Sequence, residues 1–293
     1  MRIAINGNRH QEGHFDEIDR LVTTLMQRGD SIVMSEPFLE YLTANLGDNF
    51  AKGIDYLPIT QKPGADLAIS IGGDGAFLKT ARWIGDAGTP IAGINTGHLG
   101  YLSAFTFEHA DEIYSTLLED RFRIELRSIL SVEISDDGHG RPLTLNALNE
   151  LAITRGDNAA MLNISAVIDN RSSLNYTGDG LIIATPTGST AYNLSVGGPI
   201  LDPELAGWVL SPIAAHSLSM RPLVVKDNSA IDISVRTRGH SYRIATDGKS
   251  LTVPLHATLR VTRAPFKVHL IVQPDHAFTD TLRDKLGLGA AIK

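Results

Sequence analysis

At 293 residues, with 43% hydrophobic and 20% charged side chains, the chain is long enough for a large core in one or two domains. A formal charge of −7, with no run of Lys or Arg, argues against a nucleic-acid surface, which needs a clustered basic face. The absence of cysteine excludes disulfide frameworks, thiolate catalysis and Cys-based zinc sites.

The apolar run in Met1–Gly7 is too short for a signal peptide. No apolar run approaches the ~20 residues of a membrane-spanning helix, so a cytoplasmic address without membrane contact is expected. The sequons at Asn163 and Asn175 and the tripeptide Arg155-Gly156-Asp157 then read as coincidence.

Residues 1–120 alternate strand and helix patterns. Arg2–Ile5 reads as a strand. Ile18, Leu21, Val22, Leu25 and Met26 have the spacing of an amphipathic helix that Gly29 ends. Ser31–Met34, Leu67–Ile71 and Pro90–Ile94 are further strands, and Ala110, Ile113, Tyr114, Leu117 and Leu118 mark another helix. The order predicts a doubly wound parallel α/β domain, whose ligands sit beyond the carboxyl ends of its strands.

From about Phe122 the period changes. Ile124–Leu126, Leu130–Ile134, Leu143–Ile153, Leu162–Ile168, Leu181–Ala184, Leu223–Val225, Ile231–Val235 and Leu259–Val261 read as short β segments between turn clusters. A mostly β, sandwich-like substrate domain over 121–263 is expected. The segment 264–293 should return to the first domain, ending in a helix capped by Thr279.

Gly72-Gly73-Asp74-Gly75 closes the Leu67–Ile71 strand and opens a helical pattern through Phe77, Leu78, Ala81 and Ile84. Glycines allow positive φ and close approach of a ligand, and a helix start offers free N–H groups to an anion. Asp74 is the one side chain on a bare loop, which suits a phosphate-handling turn with a general base; a tight turn with a capping aspartate is the plainer reading.

Asn149-Glu150 precedes Leu151-Ala152-Ile153 in a β-like stretch. An amide beside a carboxylate suits a ribose diol and a base edge, although exposed hairpin polarity would give the same pair. Gly178-Asp179-Gly180 leads through an apolar strand into Thr185-Pro186-Thr187-Gly188-Ser189-Thr190-Ala191-Tyr192, followed by Gly197-Gly198-Pro199. Caps and turns account for two or three of the five hydroxyls between Thr185 and Tyr192, but not for the whole run or for a tyrosine placed to stack on a planar ring.

Other signals fail. Gly248-Lys249-Ser250 lacks the first glycine of a P-loop, since Arg243 stands there. His10 and His14 lack the Glu that a zinc-protease helix carries after its first His. There is no Gly-x-Gly-x-x-Gly fingerprint of a dinucleotide-dependent dehydrogenase.

In their order and spacing these segments resemble the ATP-dependent NAD kinases over nearly the whole chain, down to Leu282-Arg283-Asp284-Lys285-Leu286-Gly287. The Gly-Gly-Asp-Gly turn is shared with phosphofructokinases and with diacylglycerol and sphingoid lipid kinases; the Thr185–Tyr192 run is the specific part. The resemblance implies a kinase that phosphorylates the adenosine 2′-hydroxyl of NAD to give NADP. Asp74 would be its general base, and Gly72, Gly73 and Gly75 its phosphate loop. Asn149 and Glu150 would grip the adenosine, and Asp179 would lie near the nicotinamide. Gly75, Tyr101, Thr187, Thr190, Ala191, Tyr192 and Ser195 would complete the NAD pocket, with Asp247 a further candidate.

It also implies Mg²⁺ arriving with ATP rather than a dedicated metal cage, a homo-oligomer, as a tetramer, with sites built partly from a neighbouring subunit, and room for NADPH feedback. Ala76 departs from the threonine common in the family, Tyr101 from its more frequent phenylalanine, and Lys249 is unusual after the Asp-Gly turn. The alternatives are a lipid kinase sharing the first turn and a catalytically silent NAD(H)- or NADP(H)-binding sensor.

Overall fold

The computed structural model describes residues 1–97, 100–107, 117, 122–156, 160–275 and 277–289. The chain divides into two compact units, Met1–Leu126 with Val268–Lys293, and Arg127–Lys267.

In the first unit β1 (Arg2–Gly7), α1 (Phe15–Gln27), β2 (Ser31–Ser35), α2 (Glu36–Leu46), β3 (Asp55–Leu57), β4 (Leu67–Ile71), α3 (Asp74–Ile84) and β5 (Ile91–Asn95) follow in turn. β1 pairs in parallel with β2 and β4, and β4 with β5. The chain thus moves outward from β1 through β2 and β3, then returns to its other side; the reversal between β1 and β4 opens a crevice beyond their carboxyl ends. The helix expected around Ala110–Leu118 lies outside the described residues except for Leu117, which is buried.

Local chemistry explains these elements. Ile18, Leu21, Val22 and Leu25 form the buried stripe of α1, while Asp16 and Glu17 occupy its first turn, where acidic side chains favour the helix dipole. β4 and β5 are buried at every position, as central parallel strands covered on both faces must be. A buried polar chain ties α3 to the sheet: Ser35 Oγ donates to Asn6 Oδ1 (2.6 Å), Asn6 Nδ2 to Thr80 Oγ1 (2.9 Å), and Thr80 Oγ1 to the Ala76 carbonyl (3.0 Å).

Two short strands, β6 (Phe105–Thr106) and β7 (Arg123–Arg127), join the same sheet. This corrects the expectation that Ile124–Leu126 opens the β domain: the polar–apolar alternation there belongs to an edge of the first sheet.

The second unit carries β8 (Leu130–Ile134), β9 (Leu143–Ala147), β10 (Glu150–Arg155), β11 (Leu162–Ile168), β12 (Ser172–Gly178) and β13 (Gly180–Ala184). A 3-10 turn over Thr187–Thr190 and a single helical turn α4 (Tyr192–Ser195) follow. Then come β14 (Gly207–Ile213), β15 (Leu223–Lys226), β16 (Ile231–Arg236), β17 (Ser241–Thr246), β18 (Lys249–Pro254) and β19 (Leu259–Arg263). They form two six-stranded sheets, β15-β14-β13-β10-β17-β18 and β12-β11-β16-β19-β8-β9. Leu151, Ile153, Leu181 and Ile183 of one share a core with Val132, Ile164, Ile233 and Val261 of the other. The apolar stretch Leu143–Ile153 is therefore not one strand, because the chain changes sheet at Leu148-Asn149.

β20 (Val268–Val272) returns to the first unit beside β5, and the sheet order becomes β3-β2-β1-β4-β5-β20-β7. α5 (Phe278–Leu286) follows, with Thr281 and Leu282 buried. Its N-cap is Ala277 rather than the expected Thr279; the Asp280 carboxylate reaches back to the Ala277 N–H (3.4 Å).

Candidate active site

In the first unit the glycine turn lies at the carboxyl end of β4, on one side of the β1–β4 crevice. Only Gly72 needs its glycine for conformation: its φ is 129°, and a side chain would press on Asn8 and Ala76. Gly73 and Gly75 have nothing within 4 Å of an added Cβ, so their missing side chains leave open space above the turn.

Gly73 is the N-cap of α3 and Asp74 its first residue, so the plainer reading of Asp74 as a cap fails. Its carboxylate reaches the segment after β5 instead: Oδ2 accepts from the Tyr101 N–H and Oδ1 from the Leu102 N–H, each at 3.0 Å. A Cβ at Gly100 would collide with Asp74 Oδ1. Gly93 lets β5 lie against the Leu102 carbonyl (2.7 Å from an added Cβ), which seats the receiving segment. Tyr101 places its ring beneath Lys285 of α5, whose Nζ lies 4.4 Å from the ring centroid. The start of α3, where a helix favours an anion, lies at this same open turn, although the Ala76 and Phe77 N–H groups already donate to the Gly73 carbonyl.

In the second unit the sheet crossing at Leu148-Asn149 would strand its N–H groups, and a distant residue satisfies them. Asp247-Gly248 forms the two-residue hairpin between β17 and β18, both at positive φ (47° and 77°), as a type I′ turn requires. The Asp247 carboxylate accepts from the N–H groups of Leu148 (2.9 Å), Asn149 (2.8 Å) and Glu150 (3.4 Å). The candidate ligand contact at Asp247 is thus a carboxylate that builds the Asn149-Glu150 turn.

The hydroxyl-rich loop closes over that turn. β10 and β13 pair with Glu150 opposite Ala184, and the Asn149 carbonyl accepts from the Thr185 N–H (2.9 Å). Thr185 Oγ1 donates to the Leu148 carbonyl (2.5 Å) and accepts from the Gly188 N–H (3.1 Å). A Cβ at Gly188 would run into the Asn149 carbonyl oxygen, so only glycine lets the loop settle here. Ser189 Oγ accepts from the Leu201 N–H (3.0 Å), and Thr190 Oγ1 donates to the Thr187 carbonyl (3.3 Å). Buried Asn193 binds Ser211 Oγ (2.6 Å), and its amide occupies the space a side chain at Gly198 would need. Structural duty therefore accounts for Thr185, Ser189 and Thr190. Tyr192 stays exposed, as does Ser195 at the end of α4.

Glu150 is 8% exposed, and its Oε2 is buried without a hydrogen-bond partner. Burial, with the Asp247 charge adding to it, pushes its pKa up from 4.5 to about 7, against the lowering effect of the Tyr192 N–H. A buried, unmatched acceptor beside an exposed aromatic ring is what a bound hydroxyl-bearing ligand would complete.

Asp179 does not join this group within one chain. It lies at the other end of β13, where its carboxylate pairs with Arg155 (3.3 Å). The β10–β13 register puts Thr154 opposite Gly180 and Glu150 opposite Ala184, a separation of about 13 Å along the strand at ~3.3 Å per residue. The flanking glycines serve packing: side chains at Gly178 and Gly180 would meet the carbonyls of Ile213 and Ile153.

Each half of the chain matches a family model. Residues 3–122 match the family model of the ATP-NAD kinase N-terminal domain, and residues 148–273 that of the C-terminal domain. The chain belongs to the ATP-NAD kinase family. It is 39% identical over 292 residues to the NAD kinase of Porphyromonas gingivalis, covering 100% of this chain and 99% of that one. The NAD kinase of Bacteroides fragilis is also 39% identical, over 290 residues, covering 99% of each. In fold the chain is similar to yeast NADH kinase complexed with NADH (TM-score 0.87, 22% identity, 100% of this chain and 89% of that one). It is also similar to an NAD kinase from Archaeoglobus fulgidus in complex with ATP (TM-score 0.72, 22% identity, 98% and 99%). Family membership over both halves sets aside the lipid kinase, whose likeness stops at the first turn.

Two features escape a reading of the sequence. Arg127 is buried and points Nη1 at Thr187 Oγ1 (3.4 Å), although nothing in its strand distinguishes it from exposed Arg123. His14, set aside as a metal ligand, stacks on Phe107 (5.6 Å between centroids) with Nε2 3.1 Å from the Thr96 carbonyl. Among the described residues no group of three or more His, Asp or Glu could hold a metal, and no helix is long and apolar enough to cross a membrane.

Proposed function

We propose that this chain transfers the γ-phosphoryl group of ATP to the 2′-hydroxyl of the adenosine ribose of NAD, giving NADP and ADP. The observation that carries this reading is the Asp74 carboxylate, aimed by two backbone N–H groups at the head of an open glycine turn. In the reaction the hydroxyl oxygen bonds to the γ-phosphorus, the bond to ADP breaks, and the hydroxyl proton passes to Asp74. Such transfers run through a loose transition state, so position and charge neutralisation matter most; a placed base typically adds about 10²–10⁴-fold.

Gly72, Gly73 and Gly75 let the phosphates approach the main chain and the start of α3. Asn149 and Glu150 hold the adenosine, the unmatched Glu150 Oε2 taking a ribose hydroxyl. Thr187, Thr190, Ala191, exposed Tyr192 and Ser195 line the NAD pocket, with Tyr101 beside Asp74. The divalent cation we assign is Mg²⁺ carried on ATP. The residues fit that role, since the open faces of Gly73 and Gly75 leave room for a hydrated cation–phosphate beside one carboxylate. When bound, Mg²⁺ neutralises charge on the donor phosphates.

The family resemblance adds a homo-oligomer, as a tetramer, and in this reading Asp179, a strand's length from Glu150, reaches the nicotinamide end of an NAD held by a neighbouring copy. A cytoplasmic setting belongs to the same reading. The test is NADP formation from NAD, ATP and Mg²⁺, beside NAD binding. Binding without NADP, with ATP or polyphosphate as donor, would replace the kinase by a dinucleotide sensor. For the shared site, inactive Asp74→Asn and Asp179→Asn proteins are mixed and reassembled. Recovery of activity is expected, and none at any ratio would return Asp179 to a role in its own chain.

A further inference from the structure

Asp74 is held by a turn that has its own support. The Tyr101 and Leu102 N–H groups bind its two oxygens, and the bare α-carbon of Gly100 makes room for one of them. The Tyr101 hydroxyl is buried without a hydrogen-bond partner, so the far end of this ring has no polar anchor. What the ring does have is a cation on its face. Lys285 Nζ stands 4.4 Å from the centroid, carried by α5, which Thr281 and Leu282 bury into the same unit. Burial raises the Tyr101 pKa above 10.0, with the Asp74 charge adding to it, so the ring is a neutral phenol and the ammonium meets only its π face.

We propose that Lys285 is a positioning residue for the phosphoryl transfer: its ammonium clamps the Tyr101 ring and so steadies the turn that aims Asp74. The C-terminal helix would then serve the base at the head of α3 through one aromatic ring. This rests on the reading of Asp74 as the base.

The experiment compares Lys285→Met, Lys285→Arg, Tyr101→Leu and the Lys285→Met/Tyr101→Leu double variant, with Asp74→Asn alongside. A cation–π contact of this kind corresponds to about a 3- to 30-fold effect. Lys285→Met should lower kcat by that factor with KM for NAD and ATP within about twofold, and Lys285→Arg should restore most of the loss. In the Tyr101→Leu background, Lys285→Met should cost nothing more, because its route to Asp74 is already cut. Full kcat in Lys285→Met beside an inactive Asp74→Asn would overturn the clamp and leave the base intact. An undiminished Lys285→Met effect in the Tyr101→Leu background, or a loss expressed as a raised KM for ATP, would also overturn it. Full activity in Asp74→Asn would instead sink the reading of the base itself.

Discussion

Two of the carboxylates proposed for the site, Asp74 in the first unit and Glu150 in the second, are treated in opposite ways. Asp74 stands at the head of a helix with an N–H on each oxygen and open space beside it. Glu150 is buried, keeps one oxygen without a partner, and has its pKa pushed to about 7 with a second carboxylate close by. A carboxylate that moves a proton must be aimed and reachable. One that holds a ligand hydroxyl can be left incomplete until the ligand arrives, at a cost borne by the folded protein. The difference lies in how neighbouring backbone satisfies each group, and residue type alone does not reveal it.

The largest effect that comparison predicts is at the aimed carboxylate. Asp74→Asn should lower kcat by about 10²–10⁴-fold while NAD binding, followed by calorimetry, changes little. Equal activity in the two proteins would remove Asp74 from the chemistry. At the second carboxylate, Gly188→Ala forces a Cβ into the Asn149 carbonyl. Overpacking of this kind costs about 1–3 kcal/mol, and we expect a lower melting temperature and a raised KM for NAD. An unchanged KM would show that the loop and the Asn149-Glu150 turn need not touch.

Glu150→Gln sharpens the contrast through pH. A raised folded-state pKa means stability that is present below the unfolded value of 4.5 and lost as pH rises through about 7. Without NAD, the stability of Glu150→Gln relative to wild type should therefore grow between pH 4.5 and 8, by up to about 3 kcal/mol at 1.36 kcal/mol per unit. Parallel melting curves at both ends of that range would refute the buried-carboxylate assignment. The smallest effect on catalysis is expected from Thr80→Val, which strands the Asn6 amide behind α3. Its cost should be about 1–3 kcal/mol of stability, with kcat within about threefold; a loss as large as that of Asp74→Asn would mean that the Asn6–Thr80 bond aims the base.

Much of this architecture was legible in the chain. Leu67–Ile71 is an unbroken apolar run followed by glycines, and it is a central parallel strand leading into a helix. The stripe Ile18, Leu21, Val22, Leu25 is the buried face of α1. In the buried β14, Gly207–Ile213, Gly, Ser and Pro interrupt the apolar pattern, and in the Lys249–Pro254 strand Lys249, Ser250 and Thr252 are polar and exposed, so neither stands out in the sequence. The Asp247-Gly248 hairpin carries a strong turn signal, and the sequence offers Asp247 as a ligand contact in that turn without showing that its carboxylate serves the Leu148–Glu150 N–H groups.

By itself the sequence determined the strand–helix order of the first unit, the β character of the second and the turns at Gly72–Gly75 and Thr185–Ser195, because these depend on local periodicity and on backbone freedom. Only the tertiary structure decided what each polar group meets. The Asp74 carboxylate finds the N–H groups of Tyr101 and Leu102, Asp247 those of Leu148 and Asn149, and Thr187 meets Arg127. It also decided that Asp179 stands a strand's length from Glu150. Such pairings join residues tens of positions apart, and they are set by which strands become neighbours, a choice made by burial of the whole core rather than by any short stretch of chain.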